Sequence, residues 1–564
     1  MVRLKVQMKK QCKQVKIHCL VVVFLVISYS SFGQTQWEES GGVENVEIEI
    51  IKERQIVLPA ASRNFEKIPP RPVEPIKPEI TYSFKNLQFN SPDFVPVIRP
   101  LKLKQETISK LYGNYVSAGF GNYVAPYLEA RLNSKRDKSK FYGLEVYHQS
   151  YGRGPVDGRN SASANSKLRL FGKIYNNVIA AGAYFSQENR GTHFYGYTPG
   201  ENVNRDAIRQ TYNISSLGVD IENSRPSDFN YNVKGGFSYL YDNYQASESE
   251  VALNFNSSYK ISDEQKISLT SDYFLIARKD ALIPSDPRHL FKIAPAYTFS
   301  PIDKLLVTTG LNTAYENDDI GKNKPFHVYP NFRADYNLAT SIDAYAALTG
   351  DIDKVSLQTL SRENIWVNSN IDVFHTNRSV EFLAGLKGKL GKKAGFGTGF
   401  SFANLKNLYF YQNSAADRSK FDVIYDAGNT QRLNLFAEMN FSHAEEASFL
   451  MRADYFNYST DNISVAYHKP TYRLLFNSSF HIYDKLILQA DFFAQGGMKT
   501  LDLERIQVVS LSPALDLNAK ADYFLSARAS IFLKFNNILS TKYPVYLNYQ
   551  VRGLQASAGF TWSF

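Results

Sequence analysis

The chain has 564 residues, 44% of them hydrophobic, yet its mean hydropathy is −0.32, which excludes a protein built of membrane-spanning helices. Aromatics are abundant, with 37 Tyr and 39 Phe, while charged residues make up only 21%, a mix suited to strands with one apolar and one polar face. The formal charge of +10 is not the footprint of a nucleic-acid binder, because most of the basic excess sits at the N-terminus.

Residues 1–33 read as a secretory signal. Arg3, Lys5, Lys9, Lys10, Lys13 and Lys16 form a basic n-region, Cys19 to Ile27 an apolar core, and Ser31-Phe32-Gly33 a cleavage site before Gln34. The apolar run is about half of the ~20 residues that a helical anchor needs. His18 precedes Cys19 where a lipoprotein signal has a small residue, so a lipid anchor is not expected. Both cysteines, Cys12 and Cys19, leave with the signal, and with them thiol and disulfide chemistry. Six of the 64 basic residues and none of the 54 acidic ones leave too, so the remainder carries only 58 against 54.

Residues 34–104 hold nine of the 22 prolines, among them Pro69, Pro70 and Pro72. Such runs favour an extended, solvated backbone. Two short stretches, Val46 to Val57 and Thr81 to Phe89, could pair as strands. The expected role is a periplasmic arm that docks a periplasmic or lipoprotein partner, or else a plain spacer.

Residues 105–564 alternate with period two almost without break from Leu111 onward. Lys167, Arg169, Phe171, Lys173 and Tyr175 oppose Leu168, Leu170 and Ile174. Arg432, Asn434, Phe436, Glu438 and Asn440 oppose Leu433, Leu435, Ala437, Met439 and Phe441. Ile267, Leu269 and Tyr273 oppose Ser268, Thr270 and Asp272. A Lys or Arg facing lipid at the midplane costs about 2–4 kcal/mol, so the charged set must face water and the apolar set lipid. Lys167, Arg169, Lys173, Arg432, Asn434 and Glu438 are therefore the lumen-facing candidates.

Short polar breaks fall near Asp137, Asn177, Pro226, Asp263, Asp303, Ser341, Lys392, Glu445, Asp484 and Ser526. Where nothing is inserted they lie about 40 residues apart, room for two strands and one distal loop. Longer loops are expected at Gly152–Ala164, Tyr195–Asp206, Gly350–Asn377, Asn413–Gly428 and Gly496–Arg505. Ten short turns imply eleven hairpins. The fold class is all-β: a transmembrane antiparallel barrel of about 22 strands, or 20 if the cramped segment Leu111 to Arg136 does not form a hairpin.

No catalytic residues, metal ligands or cofactor are expected. There is no H-E-x-x-H, no Walker loop and no G-x-S-x-G, and the nine histidines lack metal-ligand spacing. Gly395, Gly397 and Gly399 share one strand face, where they leave lumen space, and no phosphate-binding helix follows. Asp351 and Asp353 read as solvated charges of a surface loop, with cation binding the weaker reading. An enzyme inside the barrel is a distant third hypothesis.

The last strand sets Phe560, Trp562 and Phe564 on one face, the ending that outer-membrane insertion machinery recognises. Together with Phe535-Asn-Asn-Ile-Leu-Ser-Thr-Lys-Tyr543 and Tyr549-Gln-Val-Arg-Gly553, it resembles the last two strands of TonB-dependent outer-membrane receptors, with Arg552-Gly553 in reversed order. Gly113-Asn-Tyr-Val-Ser-Ala-Gly-Phe-Gly-Asn-Tyr123 is similar to the opening of a plug-less relative. The resemblance implies a receptor-like barrel that transports a solute across the outer membrane. In place of that family's N-terminal plug stand the proline-rich residues 34–104, too few to fold as one.

A lumen of this width needs filling, by inward-folded loops, by the 34–104 arm or by a partner. Transport is the leading expectation. The alternative is a non-transporting subunit of an envelope assembly or secretion complex. The expected surroundings are outer-membrane lipid and, during biogenesis, the insertion machinery, with no nucleic acid. The ligand-binding residues are not legible.

Overall fold

In the computed structural model, the described residues are 112–564, apart from positions 136, 199, 321–323, 427, 444, 445 and 484. The signal segment, the proline-rich arm with its two expected strands, and any docking through residues 34–104 lie outside them.

Twenty-two strands form one closed antiparallel sheet, each paired with its neighbours in the chain. The first strand, Tyr115–Gly121, pairs with the second, Ala125–Asn133, and also with the last, Gln555–Ser563. The cramped first segment is thus a true hairpin, which settles the count at 22. Its turn is possible because Tyr123 and Val124 adopt left-handed φ values of 60° and 52°. In the closing pair Val116 faces Trp562, Ala118 faces Phe560, and the Phe564 amide donates to the Asn114 carbonyl at 2.9 Å. Closure leaves no sheet edge, as hydrocarbon requires.

The alternation reads outward and inward as expected. Leu168, Leu170 and Ile174 are exposed on the outer face, as are Leu217, Val219 and Ile221 of the strand Arg209–Asn223. The barrel exterior is an apolar band and spans a membrane. All ten expected turns fall between neighbouring strands at one end, which also holds the start of the first strand and the end of the last. The opposite, loop end carries the longer connections.

Two expectations need correction. Asp351 and Asp353 belong to the strand Ile342–Asp353, not to a surface loop. Asp351 takes Lys292 at 2.9 Å and Asp353 takes Arg378 at 3.2 Å, so lumenal cations neutralise them. Gly395 and Gly399 of the strand Ala394–Lys406 do not open space. A Cβ on Gly395 would meet the Asn440 side chain at 2.4 Å, and one on Gly399 the Ala384 carbonyl at 2.5 Å and the Phe436 ring at 3.1 Å. Cross-strand side chains lie over these positions and fill them. Two further long connections, 460–471 and 537–554, are not among the loops expected from the sequence.

The two faces of the sheet predict opposite tolerances, on the strands Arg209–Asn223 and Ser247–Ser262. Leu217→Arg, mid-strand and facing lipid, is expected to cost about 2–4 kcal/mol. Asn256→Arg, on the inner face opposite Thr270, is expected to cost less than about 1 kcal/mol. Reversible urea unfolding in lipid vesicles measures both.

Candidate functional site

Halfway along the strand Arg209–Asn223 the apolar face changes sides. Leu217, Val219 and Ile221 point outward, whereas Tyr212 and Ile214, only 1% and 2% exposed, lie on the inner face. The pairing runs on without a bulge, so the register is unchanged and only the chemistry switches. Leu240 on the next strand and Ile276 and Leu290 beyond it are likewise buried inward near the loop end. These residues make a lumenal apolar patch that has to be covered.

Loops cover it. The connection 354–375 between the strands Ile342–Asp353 and Thr376–Leu390 folds into the barrel as a strap. It carries a short helix, Leu357–Glu363, whose Leu357 and Leu360 are buried with Val367, Ile371 and Val373 in one core with Tyr212, Ile214 and Leu240. A hairpin, Tyr409–Asn413 with Phe421–Tyr425, and a second, Pro544–Tyr546 with Tyr549–Gln550, complete the core. Aromatic rings dominate it: Trp366 and Tyr549 lie 4.1 Å apart between centroids, and Tyr195 and Tyr549 4.7 Å apart. Gly196 must be glycine here, because a Cβ would come within 2.6 Å of the Tyr549 ring. Of the three ways to fill the lumen, inward-folded loops fill it at this end.

Polar contacts pin the strap to the barrel wall. Ser356 caps the helix, accepting from the Thr359 amide at 3.3 Å, while the Thr359 hydroxyl accepts from the Ser356 amide at 2.8 Å. Glu248, on the inner wall, accepts from the Leu357 and Gln358 amides at 2.7 and 3.0 Å, satisfying two helix donors that have no internal partner. Arg362 reaches Glu188 at 2.6 Å, and Lys354 pairs with Glu250. Arg190 donates to the Ser361 hydroxyl at 2.9 Å. At the root of the strap Arg288 holds Asp318 through two hydrogen bonds, at 2.6 and 3.0 Å, and donates to the Val355 carbonyl and to His375. At the far bend the Asn370 amide donates to Asp280 at 3.0 Å.

Two histidines in this cap act as neutral acceptors. His375 Nδ1 takes both Arg288 and the Val355 amide, and His468 Nε2 takes the Leu547 amide while its Nδ1 donates to the Tyr411 carbonyl. Burial, reinforced by Arg288, lowers the His375 pKa to about 3. Burial lowers that of His468 to about 4. Protonation would set a donor against a donor at either acceptor nitrogen.

Beside the strap is a cavity of about 490 Å³, within the size range of small-molecule sites. Tyr147, Tyr151, Trp366 and Tyr543 line it, together with Arg190 and Arg552. Arg552 lies over the Tyr151 ring at 4.1 Å and donates to the Ser163 hydroxyl at 2.8 Å and to the Arg153 and Ser161 carbonyls. Asp516 is the cavity's carboxylate; its Oδ2 accepts from the Tyr543 hydroxyl at 2.7 Å. Among the described residues, no group of three or more His, Cys, Asp and Glu is placed to hold a metal ion.

The residues singled out from the sequence lie elsewhere. Lys173 pairs across strands with Asp220 at 2.7 Å and Glu222 at 2.6 Å, and Arg169 sits 4.8 Å over the Tyr184 ring. Lys167 stands in register between Tyr147 and Glu188. Arg432 meets Glu381 and Glu438 meets Arg452, each at 3.1 Å, while Asn434 lies in register between Ser401 and Phe456. None of the six lines the cavity. Phe560 and Trp562, partly exposed, stack at 6.3 Å on the outer face of the closing strand, where Phe564 is also exposed. The cavity and strap residues were missed by the sequence reading. The signal that could have found them is the switch of apolar face at Ser215 and Ser216.

The sequence matches no family model and no curated protein. Solved structures do match in fold. The FrpB iron transporter from Neisseria meningitidis superposes with a TM-score of 0.63 at 9% identity, covering 81% of this chain and 82% of that one. The pyoverdine outer membrane receptor FpvA from Pseudomonas aeruginosa, bound to pyoverdine, gives 0.61 at 10% identity, covering 81% and 79%. A mutant of the ferric enterobactin receptor PfeA from Pseudomonas aeruginosa gives 0.58 at 12% identity, covering 80% of each chain.

Two outcomes test the cap. Arg288→Met leaves Asp318 buried without its cation, a change worth about 3–5 kcal/mol. Limited proteolysis should then cut within 354–375 while the barrel stays intact. Because both histidines titrate lower in the closed cap than when released, the released cap binds protons first. Cap stability is therefore complete above about pH 6.5 and falls as pH drops from there toward 4. Trp366 fluorescence during denaturant unfolding should show this slope, and His468→Gln should flatten it.

Proposed function

We propose that the chain is an outer-membrane transporter of the TonB-dependent-receptor kind that takes a solute across the membrane and closes its lumen with its own loops. The observation that carries this reading is the pairing of a wide 22-strand barrel with a folded, pinned strap and an adjoining cavity lined by aromatic rings and two guanidinium groups. A barrel serving only as a scaffold has no need of such a cavity. The likeness in fold to the FrpB iron transporter and to FpvA bound to pyoverdine supports it.

Within this reading the loop end faces outward and the short-turn end faces the periplasm, as in barrels with short periplasmic turns. Residues 1–33 export the chain, and Phe560, Trp562 and Phe564 address it to the insertion machinery. Lys167, Arg169, Lys173, Arg432, Asn434 and Glu438 line the path that opens once the strap moves. Cross-strand ion pairs along that wall keep it hydrated without a strong net field. The chain needs no separate N-terminal plug at the loop end, because the strap does that work. No enzymatic step is part of the proposal.

The test is uptake. Cells lacking the protein should accumulate at least one labelled ferric chelate or similarly sized solute more slowly than wild type. Purified protein in vesicles should show a saturable change in Trp366 emission with that same solute, absent in Trp366→Phe. Equal accumulation of every solute tried, with no fluorescence response, would sink the reading.

A further inference from the structure

We infer that Arg190 couples the cavity to the strap, so that an anionic group entering the cavity draws this guanidinium from its tethers and releases the helix Leu357–Glu363. The inference rests on the transport reading and adds to it the charge of the ligand and the trigger for opening.

Arg190 is 9% exposed and stands at the boundary between the two features. It lines the cavity on one side. On the other its Nη2 donates to the Ser361 hydroxyl at 2.9 Å, a direct bond to the strap helix. Its Nε lies 3.6 Å from Glu188 Oε1 and has no hydrogen-bond partner. The other Glu188 oxygen accepts from Arg362, on the same helix, at 2.6 Å. Arg190, Glu188 and Arg362 thus form a chain that touches the helix at Ser361 and again at Arg362.

These tethers are weak partners for a buried guanidinium. A neutral hydroxyl and a carboxylate at 3.6 Å leave the planar donor fork largely unspent, and a carboxylate or phosphate group in the cavity can take it with two parallel hydrogen bonds. The same negative charge repels Glu188 and loosens its hold on Arg362. The cavity favours that charge. Its second guanidinium, Arg552, has carbonyls, a hydroxyl and an aromatic face as partners, and the single carboxylate among the lining residues, Asp516, is engaged by the Tyr543 hydroxyl. The Trp366 ring, which borders the cavity and lies three residues beyond the helix, senses both events.

Planar-bilayer conductance of the full chain, read alongside Trp366 fluorescence, tests this with citrate as the trial anion and choline and glucose as controls. Citrate should shift Trp366 emission and raise open probability at least tenfold, and the controls should do neither. The Ser361→Ala, Arg362→Gln double variant should open without citrate. Arg190→Gln should lose the citrate response; Arg190→Lys, which keeps the charge but not the fork, should retain part of it and guards against misfolding of the first variant. A Trp366 response without opening overturns the coupling but leaves binding intact. No response of either kind to citrate, or a double variant as closed as wild type, also overturns it. Failure of the transport reading looks different: the double variant conducts, yet cells expressing it accumulate no solute faster than cells without it.

Discussion

Hydrocarbon offers a backbone amide no partner, and this single constraint organises the molecule. It forces every strand to be paired on both sides, which the bonding of Tyr115–Gly121 to Gln555–Ser563 achieves. Closure at 22 strands then sets a width that wall side chains alone do not fill. The barrel therefore needs contents, and contents that exclude water need an apolar core. Tyr212, Ile214 and Leu240 supply the floor of that core from the wall, and Leu357, Leu360 and Val367 the roof from the strap. The core lies inside the sheet, where the pattern of alternation assigns polar residues.

The same logic explains why so many ionised groups gather around the strap. A loop entering an apolar patch brings unpaired backbone groups with it. From the wall, Glu248 satisfies the helix amides and Arg288 holds the Val355 carbonyl, while within the strap His375 takes the Val355 amide. Each wall residue is long enough to reach the strap, and each lies near the loop end of its strand. Farther down, the wall charges pair with one another across strands, as Lys173 does with Asp220 and Glu222. One wall therefore carries charges with two different jobs, divided by height.

The strand count, the ten turns and the outward and inward faces were legible because lipid imposes period two over hundreds of residues, and short turns interrupt it at regular places. The expectation that Lys173, Arg432 and Glu438 share the watery face came from their neighbours alone. The strap could not be read that way. Its residues are polar and apolar in no simple period, and what it covers is a patch assembled from strands far apart in the chain. Asp353 looks like a loop charge until Arg378 is placed beside it. Gly399 looks like open space until Phe436 lies over it. In both cases the missing fact is a cross-strand neighbour, which only the register supplies. The two faces of Arg209–Asn223 did carry a trace of the cap, in an apolar stripe that changes sides without a change of register.

The cap core draws its aromatic rings from Tyr195 through Trp366 and Tyr411 to Tyr549, so its parts are spread over most of the barrel sequence. Tyr546 and Tyr549 belong to the last connection, immediately before the strand that closes the sheet. A chain halted before that point has an open edge and an unfinished lid together. The segment that closes the ring is thus also the one that supplies the final aromatic rings of the cap, so closure of the sheet and completion of the core rest on the same stretch of chain.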